Sequence, residues 1–245
     1  RFRASAATAQ KLLVWSWESL MEDRLPVRRK RAENLKAAAG DCTILVGLRH
    51  PVKLVESLYL QLMRRDNIGG RASKWRGVRF ETIDTWLTRR WNLASRPPNQ
   101  QLDYARTVEM YADVFGADAV KIVLFEELVR DQDAYISKIC RLLGIDAAEG
   151  IRHTQDRIEN ERLSQGQMDS LAAISRSLPR SLAFRFADRA GRKRMLATAT
   201  AGSGKKARVR IPPDWQRRIE DLTRPGNRRL AERWQLPMAE HDYPL

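Results

Sequence analysis

No stretch of this chain approaches 18 consecutive apolar residues, so it carries no ordinary transmembrane helix. Cysteine is nearly absent. Cys42 and Cys140 both sit in apolar runs and share no metal-ligand spacing, which fits buried thiols in a reducing, cytoplasmic compartment. There is no zinc-finger spacing, no RNA-binding aromatic signature and no basic-zipper heptad, which weakens a nucleic-acid reading. Acidic residues are also scarce: 30 Asp and Glu stand against 45 Lys and Arg, a net charge of +15. Between Arg176 and Arg229 the imbalance is sharpest, with 16 basic residues against 4 acidic ones, a net +12. Such a surface implies a polyanionic partner (nucleic acid, a phosphorylated cofactor, an acidic polysaccharide or a membrane surface) or else a plain solvated Arg-rich face.

What is present is the composition of a globular protein, 43% hydrophobic and 31% charged. The basic N-terminal "RFRASAATAQK" has the composition of a transit peptide, yet it runs straight into "LLVWSW" and reads as the start of a domain. Three apolar runs, "LLVWSW" (12–17), "CTILVGL" (42–48) and "AVKIVLF" (119–125), read as strands covered on both faces of a parallel sheet. Helical patterns separate them. "VRRKRAENLKAAAG" closes at Gly40, a helix starts at Pro51, residues 102–116 run from a cap at Asp103 to Gly116, and "DQDAYISKICRLLGI" stops at Gly144. Strand–helix alternation of this kind predicts an α/β fold with a parallel sheet flanked by helices. Residues 66–101, with Trp75, Trp86 and Trp91, form a long excursion that reads as a substrate-side loop or a surface flap. Residues 151–245 read as a basic helical part, so one domain over 1–245 is expected, with its α/β core in 10–150.

Ligands of open parallel sheets bind beyond the carboxyl ends of the strands, where helix N-termini point. The stretch "LRHPVKLVESLYLQ" (48–61) puts Arg49 at such a strand end, directly before a helix. Arg49 offers a planar donor fork for phosphate, the helix offers unpaired N–H groups, and Ser57 leans back toward the same place. The residues alone leave a second reading open, in which Arg49 pairs with an acid and Ser57 is a small helix residue.

The pattern R-x-P-V-x-L-x-x-S-x-Y resembles the 3'-phosphate-binding element of sulfotransferases that use 3'-phosphoadenosine 5'-phosphosulfate (PAPS). "LDYARTVEMYADVFGADAVKIVLFEELVRDQDAYISKICRLLGI", "NERLS" (160–164) and "IPPDWQRRIEDLTRPGNRRLAERW" are similar to later portions of bacterial carbohydrate-type members. The resemblance implies a P-loop-NTPase-like sulfotransferase fold, PAPS as donor held by Arg49 and Ser57, and no metal. It also implies a hydroxyl- or amine-bearing acceptor, a glycan or glycolipid, rather than nucleic acid. In that family a His or Glu past the preceding strand takes the acceptor proton. Since His50, His153 and His241 lie elsewhere, the resemblance assigns Glu18 as the catalytic base; an acid capping the next turn is the alternative. One element of the family is missing, the Gly- and Lys-containing loop that cradles the 5'-phosphosulfate. "GSGKK" (202–206) lacks its context and reads as a turn. The sequence is therefore expected to lack an N-terminal segment and, as it stands, to bind PAPS poorly. The alternative function is a non-catalytic basic protein that grips a polyanion or nucleic acid.

Overall fold

The computed structural model of the chain describes residues 14–16, 20, 21, 23–67, 80–93, 98–154, 163–197 and 206–245. In chain order the elements begin α1 (Leu25–Ala39), β1 (Ile44–Leu48), α2 (Pro51–Asn67), α3 (Ile83–Arg90) and α4 (Pro98–Gln101). Next come α5 (Tyr104–Phe115), β2 (Val120–Leu124), α6 (Phe125–Arg130), α7 (Gln132–Leu143) and α8 (Ala147–Thr154). The last are α9 (Gln165–Ser175), α10 (Leu178–Phe186), α11 (Arg189–Ala197) and α12 (Pro213–Trp234). The described residues group into two compact units, one from those within 1–51, 91–157 and 218–245, the other from those within 52–90 and 158–217.

The first unit holds the sheet. β1 and β2 run parallel, from Ile44 opposite Val120 to Leu48 opposite Leu124, so both strands end at one edge. α5 packs on both strands and on α1. Its spacing buries Tyr104, Ala105, Val108, Tyr111, Ala112 and Phe115, and the Asp103 side chain accepts the Arg106 N–H at its start, at 3.3 Å. α7 ends where only a left-handed residue fits: Gly144 has φ 68°, and the Ile145 N–H reaches back to the Cys140 carbonyl at 3.0 Å. α12 passes so close to α5 that a β-carbon on Gly226 would lie 3.2 Å from that of Ala105.

One buried charge ties this unit together. Arg28 of α1 donates to the Asp23 and Gln100 carbonyls, each at 2.6 Å, and to the Thr107 hydroxyl. Burial lowers its pKa, opposed by nearby Asp103, Tyr111 and Asp23.

The sequence expectation fails in three places. Val14, Trp15 and Ser16, the described part of the expected strand over 12–17, lie in no strand, and Val14 is 62% exposed. Without a ladder beside it, an apolar stretch gains none of the hydrogen bonds that make a strand. The described sheet thus has two strands. β1 also alternates instead of being covered on both faces: Val46 and Leu48 are buried while Leu45 is 39% exposed. Finally, Cys140 is buried but Cys42, just before β1, is only half-buried.

The second unit is helical. Tyr59 of α2 meets Trp86 of α3 edge-on, ring centroids 5.8 Å apart, and donates to the Glu81 carbonyl at 2.5 Å. α9 starts on a reciprocal box in which Ser164 and Gln167 cap each other's backbone. It packs against α10 and α11. Trp86 and, in the first unit, Trp91 are buried core residues, so these two tryptophans of the 66–101 excursion serve packing.

Candidate functional site

Between the end of β1 at Leu48 and the start of α2 at Pro51 lie only Arg49 and His50. Their backbone groups, past the sheet ladder, need partners, and side chains from distant elements provide them. Tyr104 of α5 donates its hydroxyl to the Arg49 carbonyl at 2.7 Å. The His50 N–H donates to Glu126 Oε1 at 3.0 Å, while Tyr243 donates its hydroxyl to Glu126 Oε2 at 2.8 Å. The His50 ring places Nε2 at 2.9 Å from the Asp242 carbonyl. A carbonyl can only accept, so this nitrogen carries the proton. The ring also lies 5.5 Å from that of Tyr243.

These contacts make a two-residue turn rigid. Glu126, buried in the first turn of α6, accepts one donor from the β1 turn and one from near the last residues of the chain. Burial, and then the Glu126 carboxylate, push both Tyr104 and Tyr243 far above the ordinary phenol range. Both therefore remain protonated donors at neutral pH. Held by its backbone, half-buried Arg49 lays its guanidinium over the Phe125 ring, 4.5 Å from the centroid. Stacking on an aromatic face orients the fork and strips part of its water, which strengthens its interaction with an anion.

Of the residues singled out in the sequence, Arg49 lies at the carboxyl edge of the sheet, next to the end of β2. Ser57 is half-buried on α2, in the part of that helix belonging to the second unit. Glu18 lies outside the described residues, as do 202–205 of "GSGKK"; Lys206 makes one antiparallel bridge with Ser164. Sequence reasoning did not single out Glu126. A signal existed: a carboxylate two residues past a buried strand sits level with the neighbouring strand's end. Glu127 turns elsewhere and pairs with Lys138 at 2.8 Å. Among the described residues no three His, Cys, Asp or Glu side chains gather to hold a metal ion.

A family model described as the sulfotransferase family matches residues 3–149. The chain belongs to the sulfotransferase family. The matched segment contains Glu18, Arg49, Ser57 and Glu126, and stops short of Asp242 and Tyr243. Among solved structures, the crystal structure of a sulfotransferase from Alicyclobacillus acidocaldarius is similar at 21% identity, with a TM-score of 0.42. That likeness covers 71% of this chain and 65% of that one, so the chain spans less than two thirds of that protein's length. No curated protein matches it.

Proposed function

We propose that this sulfotransferase binds PAPS beyond the end of β1 and transfers its sulfuryl group to a hydroxyl or amine of a glycan or glycolipid-like acceptor. The fold in this reading is the P-loop-NTPase-like sulfotransferase fold, and the compartment is the cytoplasm. The observation that carries the reading is the setting of Arg49. Its backbone is pinned from two sides, its guanidinium is stacked on Phe125, and the helix that follows has no acidic residue in its first turn. That donor set suits a phosphate. Arg49 and Ser57 would hold the 3'-phosphate. PAPS, when bound, supplies the sulfuryl group. The acceptor oxygen or nitrogen forms the new bond to sulfur, the bond from sulfur to the 5'-phosphate oxygen breaks, and the acceptor proton passes to the Glu18 carboxylate.

Calorimetry with adenosine 3',5'-bisphosphate, the product nucleotide, tests the reading in a chain fused to a Gly- and Lys-containing 5'-phosphosulfate loop. Arg49→Ala should cost about 1.5–3 kcal/mol of nucleotide affinity, roughly a tenfold to 150-fold loss, and Ser57→Ala about 0.5–1.5 kcal/mol. Arg49→Lys should recover only part, since a point charge does not reproduce the fork. Unchanged affinity in Arg49→Ala would refute the assignment. If the nucleotide is silent and heparin or duplex DNA binds with steep salt dependence, the basic stretch 176–229 defines a polyanion-binding protein instead.

A further inference from the structure

α10 of the second unit turns most of its large apolar residues away from the core. Leu178, Leu182 and Phe186 are 81%, 51% and 78% exposed, while Phe184 on the opposite face is buried. At about 100° per residue the three fan over roughly 80° of the helix, and exposed Pro179 and Ala183 widen the apolar arc to roughly 140°. Arg180 follows the arc on one side and Arg185 precedes it on the other, its guanidinium 5.6 Å from the Phe186 ring. Exposed Arg176 and Arg189 stand just beyond the two helix ends. From Arg176 to Arg194 the sequence has seven basic residues and one acid, Asp188. That acid is engaged locally, accepting the Gly191 N–H at 2.7 Å.

The helix is held firmly by its other face. Buried Arg192 of α11 donates from Nε to the Phe184 and Ala187 carbonyls and from Nη2 to the Arg185 carbonyl, all at 3.1 Å, and lies over the Phe184 ring at 5.3 Å. It thereby satisfies carbonyls that the last turn of α10 leaves over. The exposed apolar face is thus a feature of a fixed helix that can enter another medium without unfolding.

We propose that α10 docks this sulfotransferase on an anionic phospholipid surface, with Leu178, Leu182 and Phe186 entering the headgroup–acyl boundary and the flanking arginines meeting lipid phosphates. An apolar stripe bordered by arginines, whose aliphatic stems keep the charge at the water side, is what such a boundary accepts. Nucleic acid offers nothing to the apolar centre. A second copy of the same face would set arginine against arginine, because a two-fold contact pairs a patch with itself.

Vesicle co-sedimentation tests the proposal. The chain should partition about tenfold or more strongly into mixed phosphatidylcholine–phosphatidylglycerol vesicles than into phosphatidylcholine alone, and less as salt rises. Phe186→Ser with Leu182→Ser should lose about tenfold or more of the binding to mixed vesicles, and Arg180→Gln a smaller factor. Circular dichroism checks that the double variant keeps its helices; if it does not, Phe186→Ser alone carries the comparison. Three outcomes overturn the proposal: no binding to mixed vesicles, undiminished binding by the serine variants, or a dimer in sedimentation equilibrium that Phe186→Ser abolishes.

Discussion

Removing the Glu126 side chain probes a buried carboxylate that accepts from two distant elements at the sheet edge. Glu126→Ala leaves the His50 N–H and the Tyr243 hydroxyl without their acceptor, both at buried positions. Each orphan costs about 1–3 kcal/mol, and losing the buried carboxylate returns part of its own desolvation penalty, so the net loss should be about 2–4 kcal/mol. Tyr243→Phe removes one donor to a charged acceptor and should cost about 1.5–3 kcal/mol. The double variant has only the His50 N–H left over, so its loss should fall short of the sum by about 2–3 kcal/mol. Glu126→Gln keeps an acceptor for His50 and should cost about 1 kcal/mol. Urea unfolding measures all four; a loss of 2 kcal/mol lowers the midpoint by roughly 1 M with an unchanged slope. Because Glu126 fixes the turn that presents Arg49, the alanine variant should also bind adenosine 3',5'-bisphosphate more weakly. Additivity within about 0.5 kcal/mol, or a loss below that in Glu126→Ala, would show that the two donors do not share one strut.

Arg28→Met strips three hydrogen bonds from a buried cation and should cost about 3–5 kcal/mol, with Arg28→Lys between it and the parent; a loss under about 1 kcal/mol in a melting scan contradicts that picture. Tyr59 and Tyr111 are pushed up to about 12 by burial, with Glu81 adding to the shift at Tyr59. Both stay protonated in the fold but ionise near pH 10 once unfolded, so their contribution is whole below about pH 10 and is lost as pH rises toward 12. The urea midpoint should fall over that window, and Tyr59→Phe should flatten the fall. If Glu18 is the base, Glu18→Gln should lower turnover by about 10²–10⁴ and leave nucleotide affinity alone; a melting shift with intact turnover rejects it.

The punctuation of the chain is legible in its residues. Gly40, Gly116 and Gly144 end helices where expected, Asp103 caps one, and Pro51 starts another. The parallel pairing of two of three proposed strands follows from the same local signals. Long-range polar contacts leave no such trace. Arg28 looks like any basic residue on a helix surface, and nothing nearby in sequence says that its partners are Gln100 and Thr107. Glu126 meets His50 across 76 positions and Tyr243 across 117. The outward face of α10 leaves no such trace either, since a regular apolar stripe reads the same whether it meets a core or faces outward.

The register of the sheet also bears on how the chain folds. Ile44 pairs with Val120, 76 positions away, and closing a loop of that length costs about 4 kcal/mol of chain entropy before any ladder bond repays it. α5, β2, α6 and α7 follow one another with short joins, so their contacts cost far less. The expected order is condensation of that central stretch first, docking of β1 onto β2 afterwards, and locking of the Arg49–His50 turn last, once Tyr243 has come in from the far end of the chain. Pulsed hydrogen exchange during refolding would reveal it, with α5 amides protected before those of β1 and the His50 amide among the latest. The same order applies during synthesis: a ribosome that has made β1 must add more than seventy residues before its partner strand exists, and about 120 more before Glu126 gains its second donor.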